Sequence, residues 1–141
     1  MGLARLLPLK IVLMATVLIV DDEAPIVELV RFTLEDEHVR VVEAGDGLEA
    51  LEVARAELPD LILLDVQMPY LNGFDVCRRL RLEPELSRTK IVMLTAASQE
   101  QDLARGRAAG ADLYLTKPFS PLRLLSLAQS LLPEAPLWPE R

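Results

Sequence analysis

At 141 residues the chain has the length of one domain, and its apolar content is enough to bury a core without disulfide or metal staples. A net charge of -7, with the Lys and Arg residues scattered, offers no basic stripe to neutralise phosphates and excludes direct nucleic-acid binding by the chain itself. The single cysteine, Cys77, excludes an intramolecular disulfide and points to a reducing, cytoplasmic setting.

Leu3 to Val20 is mostly apolar, but Arg5, Pro8 and Lys10 interrupt it. The clean run from Ile11 to Val20 is too short to span a bilayer, so no membrane association is expected. Met14 stands just before the first strand, which makes Met1 to Leu13 an N-terminal extension, either disordered or the product of an upstream start. The folded domain is expected over 14–132. The Pro-rich segment 133–141 reads as a tail, with Trp138 its one large aromatic.

Strand and helix signals then alternate five times, the pattern of a parallel sheet covered on both faces. The first strand is about Thr16 to Val20. Pro25 suits the first turn of a helix whose inner positions are Ile26, Leu29, Val30 and Leu34. His38 to Glu43 reads as the second strand, with His38 a surface imidazole.

Asp46-Gly47-Leu48-Glu49 is an Asp form of the capping box and opens a second helix that stops at Pro59. Leu61 to Leu64 is the third strand and delivers Asp65. Asn72-Gly73 opens the third helix, whose inner stripe is Phe74, Cys77 and Leu80; Cys77 is a small core residue on this reading. Lys90 to Leu94 is the fourth strand. A short helix from about Gln99 to Ala108 follows, ended by Gly110 in the left-handed conformation. Asp112 to Thr116 is the fifth strand, and Pro121 to Leu132 the last helix, with Leu122, Leu125, Leu127, Leu131 and Leu132 on its apolar face.

In an open sheet of this kind the ligand crevice lies outside the carboxyl ends of the strands. A shared edge gathers Asp21, Asp22, Asp65, Thr95 and Lys117. Taken singly these are ordinary residues: the two adjacent acids read as helix caps or turn acids, Thr95 as a cap and Lys117 as a surface lysine. Together they point elsewhere. Two like charges about 4 Å apart repel by about 4 kcal/mol at an effective dielectric near 20, so three clustered carboxylates call for a cation. Magnesium suits such hard oxygen ligands and pairs readily with phosphate oxygens. Asp65 then becomes a usable nucleophile toward a phosphoryl group, with the Thr95 hydroxyl and the Lys117 ammonium as donors to its oxygens.

Four segments carry a family resemblance: Val20-Asp21-Asp22-Glu23, Leu64-Asp65-Val66-Gln67-Met68-Pro69 with Gly73 beyond, Met93-Leu94-Thr95-Ala96, and Lys117-Pro118-Phe119. In this order they resemble the signatures of response-regulator receiver domains of two-component signalling, over about Ala15 to Leu132. The resemblance implies a doubly wound α/β fold of the flavodoxin-like type, with five parallel strands in the order 2-1-3-4-5 and helices on both faces. It makes Asp65 the phosphoacceptor, Asp22 a direct Mg2+ ligand, Asp21 an outer ligand acting through water, and the backbone carbonyl of Gln67 a further ligand. Thr95, Ala96 and Lys117 would bind the phosphoryl group. Thr95 and Tyr114 would form the switch, and the bond before Pro118 would be cis.

The function implied is a phosphorylation-dependent signalling switch of the stand-alone, single-domain type. It would be no enzyme beyond catalysing its own phosphorylation and slow dephosphorylation. Its phosphoryl donor would be a sensor histidine kinase or a phosphotransfer protein. Its output surface would be helix four, strand five and helix five, about Gln99 to Leu132, read by a downstream protein or by a phosphorylation-dependent homodimer. A phosphatase of the haloacid dehalogenase type is the rival enzyme reading, but its second Asp, two residues after the nucleophile, is Gln67 here. A degenerate receiver acting only as a binding module is the third, and every acidic and phosphate-contact position is filled against it.

Overall fold

The computed structural model describes residues 14–96 and 100–132. The expected extension Met1 to Leu13, the tail with Trp138 and the expected helix start at Gln99 lie outside the described residues. Five strands alternate with five helices: β1 (Ala15–Val20), α1 (Ala24–Leu34), β2 (Val39–Ala44), α2 (Gly47–Glu57), β3 (Leu61–Asp65), α3 (Gly73–Arg81), β4 (Lys90–Thr95), α4 (Glu100–Ala109), β5 (Leu113–Thr116) and α5 (Pro121–Leu131). A 3-10 turn, Pro84–Leu86, precedes β4. All strand pairs are parallel and the sheet order is β2-β1-β3-β4-β5, the doubly wound flavodoxin-like arrangement. No helix among the described residues is long and apolar enough to cross a membrane.

Alternate residues of each strand serve opposite faces. Val17 and Ile19 of β1 pack with Val30 and Leu34 of α1 and with Leu124 and Ala128 of α5. Leu18 and Val20 join Ala50 and Ala54 of α2 and Phe74, Cys77 and Leu80 of α3 on the other face. The central strands are therefore apolar at every interior position, as strands covered on both sides must be. Cys77 is buried and its thiol donates to the Ala109 carbonyl at 3.4 Å, while burial pushes its pKa up to about 11.

The helix starts follow from local chemistry. Asp46 accepts from the Glu49 amide at 2.8 Å, but the Glu49 carboxylate reaches back to the Gly45 amide at 2.7 Å, one residue beyond the expected capping-box partner. Asn72 and Ser120 cap α3 and α5 in the same way, accepting from Asp75 and Arg123. Gly110 takes φ +105° after α4, as expected.

Of the face expected for the last helix, Leu132 is buried and Leu125, Leu127 and Leu131 pack against the core. Leu124 and Ala128 are its buried residues, whereas Leu122 is 77% exposed. Counting leucines took in the exposed Leu122 and passed over Leu124 and Ala128, which are fully buried. His38 is half-buried just before β2, its backbone carbonyl accepting from the Ala15 amide. On the open edge of β2, Glu35 accepts from the Val41 amide and Arg31 donates to the Val41 carbonyl, which satisfies backbone groups that would otherwise invite another strand.

Candidate functional site

Register places the chemistry. Val20 pairs with Leu64 and with Ala44, Asp65 with Leu94, and Thr95 with Thr116, so Asp21, Asp65, Thr95 and Lys117 all leave the sheet at its carboxyl edge. Backbone bonds continue the ladder one step further, from Asp21 to Ala44, from Val66 to Leu94 and from Lys117 to Thr95. These residues are fixed by the strands and not by mobile loops, which gives a site of defined geometry.

Asp21 and Asp65 are buried and Asp22 is exposed. One carboxylate oxygen from each of the three lies within 4.8 Å of the others. Asp21 Oδ1 accepts from the Glu23 amide at 2.9 Å, and Asp65 Oδ1 makes a long contact with the Gln67 amide at 3.4 Å. Lys117 Nζ stands among them, 2.8 Å from Asp21 Oδ2, 3.4 Å from Asp65 Oδ1 and 3.6 Å from Glu23 Oε2. The contact with Asp21 Oδ2 is an ion pair without hydrogen-bond geometry, since that oxygen has no hydrogen-bond partner among the described residues.

Burial raises the pKa of Asp65 to about 6, helped by the Asp21 charge and opposed by Lys117 and the Gln67 amide. Burial alone would lower Lys117, but the Asp21, Asp65 and Glu23 carboxylates outweigh it and hold the ammonium above its ordinary value. Thr95 is 2% exposed, and its hydroxyl has no hydrogen-bond partner among the described residues. A buried hydroxyl without a partner loses free energy unless something else occupies its neighbourhood.

Gly73 explains the spacing of the Asp65 segment. A Cβ there would collide with the Asp65 carbonyl and lie 2.9 Å from Val66 Cα, so only glycine lets the start of α3 press against the strand end. The Lys117–Pro118 bond is cis. Tyr114 lies on β5 opposite Met93 and faces outward, more than a third exposed. Ala96 is exposed just after β4. Glu23, which the sequence reading left without a role, shares the Lys117 ammonium with Asp21 and Asp65. A cavity of about 740 Å3 opens beside Ala15, Asp60 and Lys90 at the amino ends of the strands and touches none of these carboxylates.

Comparison with known proteins agrees with this geometry. The sequence profile described as "Response regulator receiver domain" matches residues 17–129. The chain is 45% identical over 116 residues to the "Alkaline phosphatase synthesis transcriptional regulatory protein PhoP" of Bacillus subtilis, covering 82% of this chain and 48% of that protein. It is 41% identical over 116 residues to the "DNA-binding response regulator MtrA" of Mycobacterium tuberculosis, covering 82% of this chain and 50% of that one. The chain thus spans about half the length of these curated relatives. Among solved structures, chemotaxis response regulator CheY4 of Vibrio cholerae superposes with a TM-score of 0.80 at 39% identity, covering 84% of this chain and 99% of that one. With the profile spanning most of the sequence and the sheet order agreeing, the chain belongs to the response-regulator receiver domains of two-component signalling.

Proposed function

We propose that the chain is a phosphorylation-dependent switch in which Asp65 accepts a phosphoryl group from the phosphohistidine of a sensor kinase or phosphotransfer protein. The observation that carries this reading is the juxtaposition, on one sheet edge, of a buried carboxylate cluster, a shared ammonium and a buried hydroxyl without a partner among the described residues. A tetrahedral dianion bound to Asp65 would accept from the ammonium and the hydroxyl, and a cation beside it would answer the carboxylates.

The residues present also fit Mg2+. Their donor set is hard oxygen, and one carboxylate oxygen from each of the three aspartates lies within 4.8 Å of the others. Asp21, Asp22, Asp65 and the Gln67 backbone carbonyl would hold the ion. When bound, it offsets the combined charge of the carboxylates and the incoming phosphoryl group.

The remaining work falls to the chain itself. An Asp65 carboxylate oxygen bonds to phosphorus as the bond to the donor nitrogen breaks. Lys117, already between Asp21 and Asp65, pairs with one phosphoryl oxygen. Thr95 donates its hydroxyl to another, and the neighbouring Ala96 amide donates alongside it. Drawing Thr95 toward the phosphoryl group frees space for Tyr114 to turn inward. The α4–β5–α5 face then changes for a downstream protein or a second copy. The chain catalyses only its own phosphorylation and slow dephosphorylation, in the cytoplasm.

Calorimetric titration with Mg2+ separates the roles. Asp22→Ala is expected to lose about tenfold or more in affinity, and Thr95→Ala to bind the ion as the wild type does. Equal affinity in wild type and Asp22→Ala would remove Asp22 from the ligand set.

A further inference from the structure

The loop from Val66 to Asn72 contains a strained aromatic that the phosphoryl chemistry above leaves unused. Tyr70 has φ +71°, and the Leu71 amide donates to the Pro69 carbonyl at 2.8 Å, closing a three-residue γ-turn of the unfavourable hand around Tyr70. A residue with a Cβ and a ring reaches this conformation only at a cost in free energy. Among the described residues nothing covers Tyr70 to repay that cost, since it is 85% exposed.

The flanks of the turn are pinned. Met68 and Leu71 pack against the core, the Gly73 amide donates to the Val66 carbonyl at 2.9 Å, and the Leu71 carbonyl presses on Gly47, where a Cβ would lie only 2.7 Å away. The loop therefore projects one aromatic ring into solvent from a fixed platform, five residues beyond Asp65 and at the same edge of the sheet. The backbone beneath this exposed aromatic is fixed before a partner arrives, which leaves only the side chain to be ordered on binding.

We propose that Tyr70 is a recognition residue for the phosphoryl donor, its ring stacking on the imidazolium of a phosphohistidine during transfer; this rests on Asp65 being the acceptor. In that step an Asp65 carboxylate oxygen forms the new bond to phosphorus while the phosphorus–nitrogen bond breaks and its electron pair stays on the ring nitrogen. The other ring nitrogen already carries a proton, so the ring departs as neutral imidazole. Before departure the ring is cationic, and the face of a tyrosine attracts such a cation. Acetyl phosphate presents no ring and gains nothing from the contact.

The test compares phosphorylation rates with monophosphoimidazole and with acetyl phosphate, each with Mg2+, followed by intact mass. Tyr70→Gly suits the backbone angle and so preserves the fold. In this variant the ratio of the phosphoimidazole rate to the acetyl phosphate rate is expected to fall about three- to fivefold, in Tyr70→Leu likewise, and in Tyr70→Phe to stay at the wild-type value. An unchanged ratio in Tyr70→Gly, or a fall in Tyr70→Phe as large as in Tyr70→Gly, overturns the stacking role. No labelling of the wild type by either donor overturns Asp65 as acceptor, and the Tyr70 role with it.

Discussion

Burial and the neighbouring Asp21 charge raise Asp65 to about 6, so at neutral pH the metal-free protein holds an ionised carboxylate that its surroundings disfavour. A carboxyl whose folded pKa lies above its unfolded value of about 4 favours the fold at low pH and loses that contribution as pH rises through about 6. Asp65→Asn, which cannot ionise, should therefore gain on the wild type by up to roughly 3 kcal/mol between pH 4 and pH 7 in EDTA. Urea unfolding of both proteins at the two pH values checks this, and a stability gap that does not change with pH contradicts it. The need for three carboxylates near one cation was legible in the sequence because each follows an apolar strand. Which of the adjacent aspartates is buried was not, since Asp21 and Asp22 differ only in the direction the chain takes on leaving β1. The same limit hid the Lys117 ion pair with Asp21, which depends on how β1 and β5 sit across the intervening β3 and β4.

Elements that announce themselves by continuous apolar runs, β1, β3 and β4, fall within a residue of where the sequence puts them. The last helix shows why amphipathic faces are harder. Of the five leucines read as its inner stripe, Leu125, Leu127, Leu131 and Leu132 do meet the core, but Leu122 does not, and the fully buried Leu124 and Ala128 were passed over, the latter because a small residue carries little hydrophobic signal. Leu124→Ala is accordingly expected to cost about 2–5 kcal/mol, against no more than about 0.5 kcal/mol for the exposed Leu122→Ala. Thermal unfolding of the two variants checks this, and a larger loss for Leu122→Ala would contradict it. The start of α3 was placed by Asn72-Gly73, yet the reason glycine stands there emerged only with the packing: any Cβ would meet the backbone of Asp65.

At the scale of the whole molecule, the sheet order concentrates function at one edge and leaves both faces to the cores. The sequence could show the alternation of strand and helix and the polar residue after each strand; parallel right-handed connections then left few topologies to consider. The output surface is less legible, because a switch is a difference between two conformations and the residues of α4, β5 and α5 describe only one of them. The central claim, a single phosphoacceptor at Asp65 supported by Mg2+, is tested most directly by intact mass after incubation with acetyl phosphate. The wild type with Mg2+ should gain one phosphate, and Asp65→Asn, or the wild type in EDTA, should gain essentially none; equal labelling of wild type and Asp65→Asn would place the acceptor elsewhere.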